Sequence, residues 1–213
     1  MTKIIKLSFT LVLLAVSIVS HSQEVRSLFS GGVKSSGGYG ALTNKFTKIN
    51  GDYANLAGMY AGWYINHKLM LGVAGAAVTN HIPVPEKFNT QPGIKMSYEY
   101  AQFGLMTEYV WGSNRIIHLG FQLFSGAALN TQYERYNWHD ENDEDDWDMS
   151  EKRTDWFFVS EPGINIEINV FKWMRFCPGV SYRLAVGDGL ESGLKGSDLS
   201  GTTLNASLKF GKF

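Results

Sequence analysis

A chain of 213 residues is long enough for one domain with a sizeable core, and no shift in composition marks a second. A formal net charge of -1 supplies no field for nucleic acid, and charged residues make up only 18% of the chain, whereas 23 glycines and 14% aromatics are plentiful. That balance excludes an ordinary water-covered exterior: either little of the surface meets water, or the chain faces something else.

The first residues read as an export signal. Lys3 and Lys6 make a positive end, Leu7 to Val19 is an apolar run, and Ser20 and Ser22 flank a cleavage point before Gln23. The run is shorter than the roughly 20 residues a membrane helix needs, so residues 1–22 are expected to be a cleaved signal and 23–213 the mature domain. An uncleaved anchor is the alternative. The single cysteine, Cys177, leaves no internal disulfide to form.

Beyond the signal the pattern is of strands, expected over Leu28–Phe46, Tyr53–Asn66, Leu69–Asn80, Lys95–Trp111, Ile116–Leu129, Asp155–Val170, Met174–Val186 and Gly201–Phe213. Short connections at 66–68, 112–114 and 171–173 alternate with longer ones at 43–52, 81–93, 130–154 and 187–200. Long and short connections therefore fall at opposite ends of the sheet, the asymmetry of a membrane barrel with brief inner turns and long outer loops.

The hairpin 156–186 carries the clearest code. Trp156, Phe158, Ile164, Ile166, Ile168 and Val170 share one parity against Glu161, Gly163, Asn165, Glu167 and Asn169, and the next strand repeats the contrast with Phe176, Val180, Tyr182 and Leu184 against Arg175, Gly179, Ser181 and Arg183. A one-residue slip inverts both faces, so the register is firmly written. Three features turn the apolar face outward to lipid. The polar faces carry Gly, Ser, Asn and Gln more than charge. Trp63, Trp111 and Trp173 all lie beside short turns, as an interfacial girdle requires, with Trp156 at the opposite rim; and an even strand count with a terminal strand allows closure. Two strands need adjustment: the fourth keeps its parity only with a bulge near Tyr100-Ala101 that groups Lys95 and Glu99 with Gln102 and Glu108, and Pro162 and Pro178 call for bulges or edge-like positions.

The leader, the amphipathic hairpin 156–186 and the terminal strand "GTTLNASLKFGKF" together resemble the small bacterial outer-membrane β-barrels of the eight-stranded OmpA-like and OmpX-like group. The resemblance implies an all-β fold, an eight-stranded antiparallel transmembrane up-and-down barrel in the outer membrane, with lipid and the barrel-assembly machinery as partners. It implies that the terminal aromatic, Phe213, is what that machinery reads. Phe213 falls on the polar parity, however, and Phe210 takes part of that role.

Candidate chemistry is sparse. The run 138–148, "WHDENDEDDWD", places seven acidic residues in the longest loop, a gathering point for cations or an extracellular ligand, or a solvated open loop. Glu161 and Glu167 face Arg175 and Arg183 with Lys209 near, and in a lumen as narrow as eight strands leave they are expected to compensate one another across the interior. Catalysis at the outer rim would draw on His81, or on His139 beside Asp140, with Ser150 or Ser160, but no fixed spacing joins them. Cys177 on the polar face is expected to be inert. No catalytic, metal or cofactor-binding residue is assigned and no cofactor is implied. The expected role is therefore structural or interactive, carried by the outer loops of a monomer, with slight porin-like conductance. The alternatives are a soluble exported barrel for an apolar ligand and a lipid-modifying membrane enzyme.

Overall fold

A computed structural model describes residues 36–66, 68–89, 91, 93–135, 154–190 and 192–213. The leader with its cleavage point, the start of the strand expected from Leu28, His139, Ser150 and the acidic run 138–148 lie outside the described residues.

The strands are β1 (Ser36–Ile49), β2 (Asp52–Ile65), β3 (Leu69–Val78), β4 (Ile82–Pro83), β5 (Met96–Trp111), β6 (Ile117–Glu134), β7 (Asp155–Phe171), β8 (Met174–Val186) and β9 (Gly201–Gly211). Each of the eight long strands pairs antiparallel with its neighbours, and β1 pairs with β9 from Tyr39↔Gly211 to Phe46↔Leu204, which closes the cylinder. The short β4 resumes β3 after a bulge: Ala77 faces Ala101 and Ile82 faces Tyr98, so four residues, Val78 to His81, stand opposite Glu99 and Tyr100 alone.

Side chains divide as the hairpin code requires. Ile166 and Tyr182 are each 48% exposed on the outside, whereas Glu167 and Arg183, one residue along, are 0% and 1% exposed in the lumen. Trp63, Trp111 and Trp173 ring one end of the exterior; Phe171, Trp173 and Phe210 stack there with centroids 5.5 and 6.2 Å apart. At the other rim Trp156 packs edge-on against Phe103 at 6.1 Å. From Gly38, level with Trp63, to Lys48 is ten residues along β1. At about 3.3 Å per residue and a tilt of about 40° this rises about 25 Å, the height of a lipid-facing band.

Three expectations are corrected. The 43–52 connection is not a long loop: β1 runs on to Ile49 and turns into β2 through Asn50 (φ 53°) and Gly51 (φ 84°) alone. Two successive left-handed residues are what a two-residue hairpin needs to match strand twist. Gly51→Val is expected to cost about 1–2 kcal/mol in urea unfolding, because a branched side chain at positive φ is strained. The bulge near Tyr100-Ala101 is absent: β5 pairs β6 without a break from Met96↔Glu134 to Trp111↔Leu119, with Tyr98 and Tyr100 inside and Glu99 outside. β6 also continues past Leu129 to Glu134.

The prolines are accommodated in one seam. β7 and β8 keep a single register from Phe158↔Val186 to Asn169↔Arg175, but the ladder lapses at Glu161–Pro162 and again opposite Cys177–Pro178. The other partners pair straight through, Leu123↔Pro162 and Pro178↔Ala206. Both missing N–H groups thus point into the same β7–β8 seam, where no ladder bond is asked of them.

Candidate functional site

The lumen holds two charged clusters stacked along the axis. In the cluster nearer the short turns, Lys209 on β9 reaches Glu108 on β5 and Glu167 on β7, with Nζ to oxygen distances of 2.5 and 2.6 Å. Tyr64 and Tyr39 donate to the two oxygens of Glu108 at 2.7 and 3.2 Å. Arg175 donates to Glu167 at 3.0 Å, and the ring of His118 sets Nε2 3.0 Å from Glu167 and Nδ1 3.1 Å from the carbonyl of Arg115. Phe213 folds back over this end, 5.6 Å from the Tyr39 ring, with the Arg175 guanidinium 4.0 Å from its centroid.

Higher up, Lys45 holds Glu161 with both contacts at 2.9 Å, while Ser181 (2.6 Å) and Gln102 (3.2 Å) donate to the same carboxylate. The pairing expected across the hairpin is therefore half right. Arg175 meets Glu167, whereas Glu161 is served by Lys45, and Arg183 meets no carboxylate among the described residues. Its Nε donates to the carbonyl of Leu199 at 2.5 Å and its Nη2 to that of Lys48 at 2.9 Å, with the guanidinium 5.2 Å above the Tyr100 ring.

Arg183 thereby ties the 187–200 connection to the end of β1 at the mouth. The 187–200 segment, with a single helical turn at Gly196–Leu199, folds over the opening and buries Leu194 and Leu199 among Ile49, Leu56 and Ile82. Tyr98 donates to the carbonyl of Ser192 (2.9 Å), the N–H of Ser192 donates to Asp155 (2.7 Å), and Gln132 donates to the carbonyl of Phe88 (2.9 Å). The outer end is thus an apolar core under loops, and the lumen below it is crossed by ion pairs.

The remaining candidates stay apart. His81 sits in the β3–β4 bulge on the exterior with Nδ1 2.7 Å from the Tyr133 hydroxyl, while Ser160 lies on β7 beyond β5 and β6. Cys177 is fully buried in the lumen. Among the described residues no group of three or more His, Cys, Asp and Glu is placed to hold a metal ion. Sequence reasoning put Glu108 and Gln102 on the polar face without naming their partners, and passed over Lys45 and the tyrosines 39 and 64 as lumen partners. The alternation of Lys45 with Leu42 and Phe46 was the available signal, obscured by the loop expected there.

A closed sheet whose outward side chains are apolar over about 25 Å, edged by tryptophan and tyrosine, has the exterior of a membrane-spanning barrel. No family model matches the chain and no curated protein does. Among solved structures it is similar to Neisserial surface protein A, with a TM-score of 0.52 and 10% identity over 84% of this chain and 97% of that one. The fold is that of the small eight-stranded outer-membrane barrels. Looser similarities run to the attachment invasion locus protein Ail of Yersinia pestis (TM-score 0.43, 8% identity, 83% of this chain and 94% of that one) and to a major outer membrane protein of Thermus thermophilus (TM-score 0.45, 6% identity, 82% and 99%). The apolar belt on a closed antiparallel sheet, carried by this architecture, places the chain in an outer membrane.

Proposed function

We propose that the chain is a sealed, non-enzymatic outer-membrane barrel whose outer connections, at 79–95, 135–154 and 187–200, form an interaction surface, with 187–200 pinned to the barrel beneath. Residues 1–22 are its export signal. The observation that carries the reading is the Arg183 clamp, because a buried guanidinium shared between the carbonyl of Leu199 and that of Lys48 at the end of β1 fixes the 187–200 connection to the barrel wall instead of leaving it open. The acidic run 138–148 adds negative charge to that surface and is where a cation or basic partner would be taken. The terminal strand is handed to the assembly machinery with Phe210 as its outward aromatic, since Phe213 is turned into the lumen.

Porin-like conductance finds less support, because the apolar mouth and the Lys45–Glu161 pair both stand in the axial path. In planar bilayers the purified barrel is expected to give no single-channel steps, and steady ohmic steps would overturn the sealed reading. Arg183→Ala is expected to leave the barrel folded, with its heat-dependent gel mobility intact. It should speed proteolysis within 187–200 roughly tenfold, the effect of losing about 1.4 kcal/mol of loop anchoring. Unchanged cleavage would show that Arg183 does not hold the loop.

A further inference from the structure

The seam that closes the barrel is incomplete at its outer end. β1 and β9 pair as far as Phe46↔Leu204, although β1 continues to Ile49 and β9 begins at Gly201. Beyond that pair the strands splay. Thr47 bridges them, its hydroxyl donating to the carbonyl of Thr202 and accepting from Thr203, both at 3.1 Å. The wedge so opened is a groove of about 610 Å3, lined below by Phe46 and Leu204 and above by Lys48, Tyr53 and Asp198.

Position and chemistry together define what this groove accepts. Phe46 and Leu204 are exposed on the lipid-facing side, so the lower half is apolar and continuous with the belt. Lys48 lies about 25 Å above the tryptophan girdle by the strand geometry given above, at the level where acyl chains give way to headgroups. Opposite charges flank the upper half: Lys48 from β1 and Asp198 from the helical turn, neither of them in an ion pair among the described residues. Asp198 spends one oxygen on the N–H of Lys195 (2.8 Å), leaving the other available.

We propose that this wedge holds one zwitterionic membrane lipid with a phosphoethanolamine headgroup. Its phosphate lies toward Lys48, its ammonium toward Asp198, and an acyl chain runs along Phe46 and Leu204. A purely anionic headgroup meets the Asp198 carboxylate without compensation. A choline headgroup has no N–H to donate to it.

The test is native mass spectrometry of the full-length barrel released from detergent after incubation with phosphatidylethanolamine, phosphatidylglycerol or phosphatidylcholine of identical chains. One phosphatidylethanolamine is expected to survive activation that strips the other two. Lys48→Ala and Asp198→Asn, the latter keeping an oxygen for the Lys195 N–H, are each expected to lower its retention about tenfold, the effect of one charge-assisted hydrogen bond. Lys95→Ala, an exposed lysine remote from the groove, should leave retention unchanged. Heat-dependent gel mobility verifies that each variant is folded. Equal retention of the three lipids, preference for either of the other two, or insensitivity to either groove substitution overturns the assignment.

Discussion

Lys209→Met is expected to destabilise the folded barrel by about 3–5 kcal/mol, measured as a lower urea midpoint in lipid vesicles. The ammonium has no exposure to water and sits between two carboxylates, at 2.5 Å from Glu108 and 2.6 Å from Glu167. Methionine nearly preserves the volume, so packing loss is small and the effect isolates the charge. Glu167 keeps Arg175 and His118, but Glu108 is left with tyrosine hydroxyls alone. A buried carboxylate without a cation is the costly species. Adding Glu108→Gln to Lys209→Met is therefore expected to recover at least half of the loss, since the amide is neutral and still accepts from Tyr64. If the double substitution is no more stable than Lys209→Met, the cluster is not held by charge compensation and the account given for the lumen is wrong.

How much of this was legible in the sequence depends on height above the inner turns. Within the membrane the alternation reports chemistry on both sides, lipid outside and a polar lumen inside, so strands 156–170 and 174–186 were placed nearly to the residue. Above the belt the code inverts. The exterior there is water and the interior becomes an apolar core under the loops. Thus β1 turns Ile49 inward and Lys48 outward, and β5 turns Tyr98 and Tyr100 inward and Glu99 outward. Read with the code valid lower down, the first looked like a loop and the second like a bulge. Both misreadings have this one cause, and the Asn50-Gly51 pair was the local signal that could have corrected the first.

The lumen partners were less legible for a different reason. Period two tells which face a residue occupies, but not which residue lies across the axis. Arg175 and Glu167 belong to adjacent strands and were matched. Lys45 and Glu161 are 116 positions apart and meet across the lumen. Arg183 finds backbone carbonyls, and these carry no sequence signature at all. The same residue thus joins the two levels: it ends the polar lumen and begins the closed mouth.

The strongest demand falls on the outer wall, where Ile164→Arg is expected to cost about 2–4 kcal/mol, measured in lipid vesicles by urea titration of the folded fraction. Ile164 lies on β7 midway between Trp156 at one rim and Phe171 at the other, so it sits close to the centre of the belt with its side chain turned outward. A guanidinium there must either enter hydrocarbon or snorkel past half the bilayer, and the cost falls as the site approaches either rim. Trp156→Arg on the same face is therefore expected to cost no more than about 1 kcal/mol beyond the aromatic contact it removes with Phe103. That gradient with depth separates a lipid-facing wall from the buried face of a soluble barrel, in which arginine at either position is equally damaging, and from a water-facing wall, in which it is harmless at both. A flat profile along Trp156, Ile164 and Phe171 would turn the barrel inside out, and with it every assignment made to the lumen.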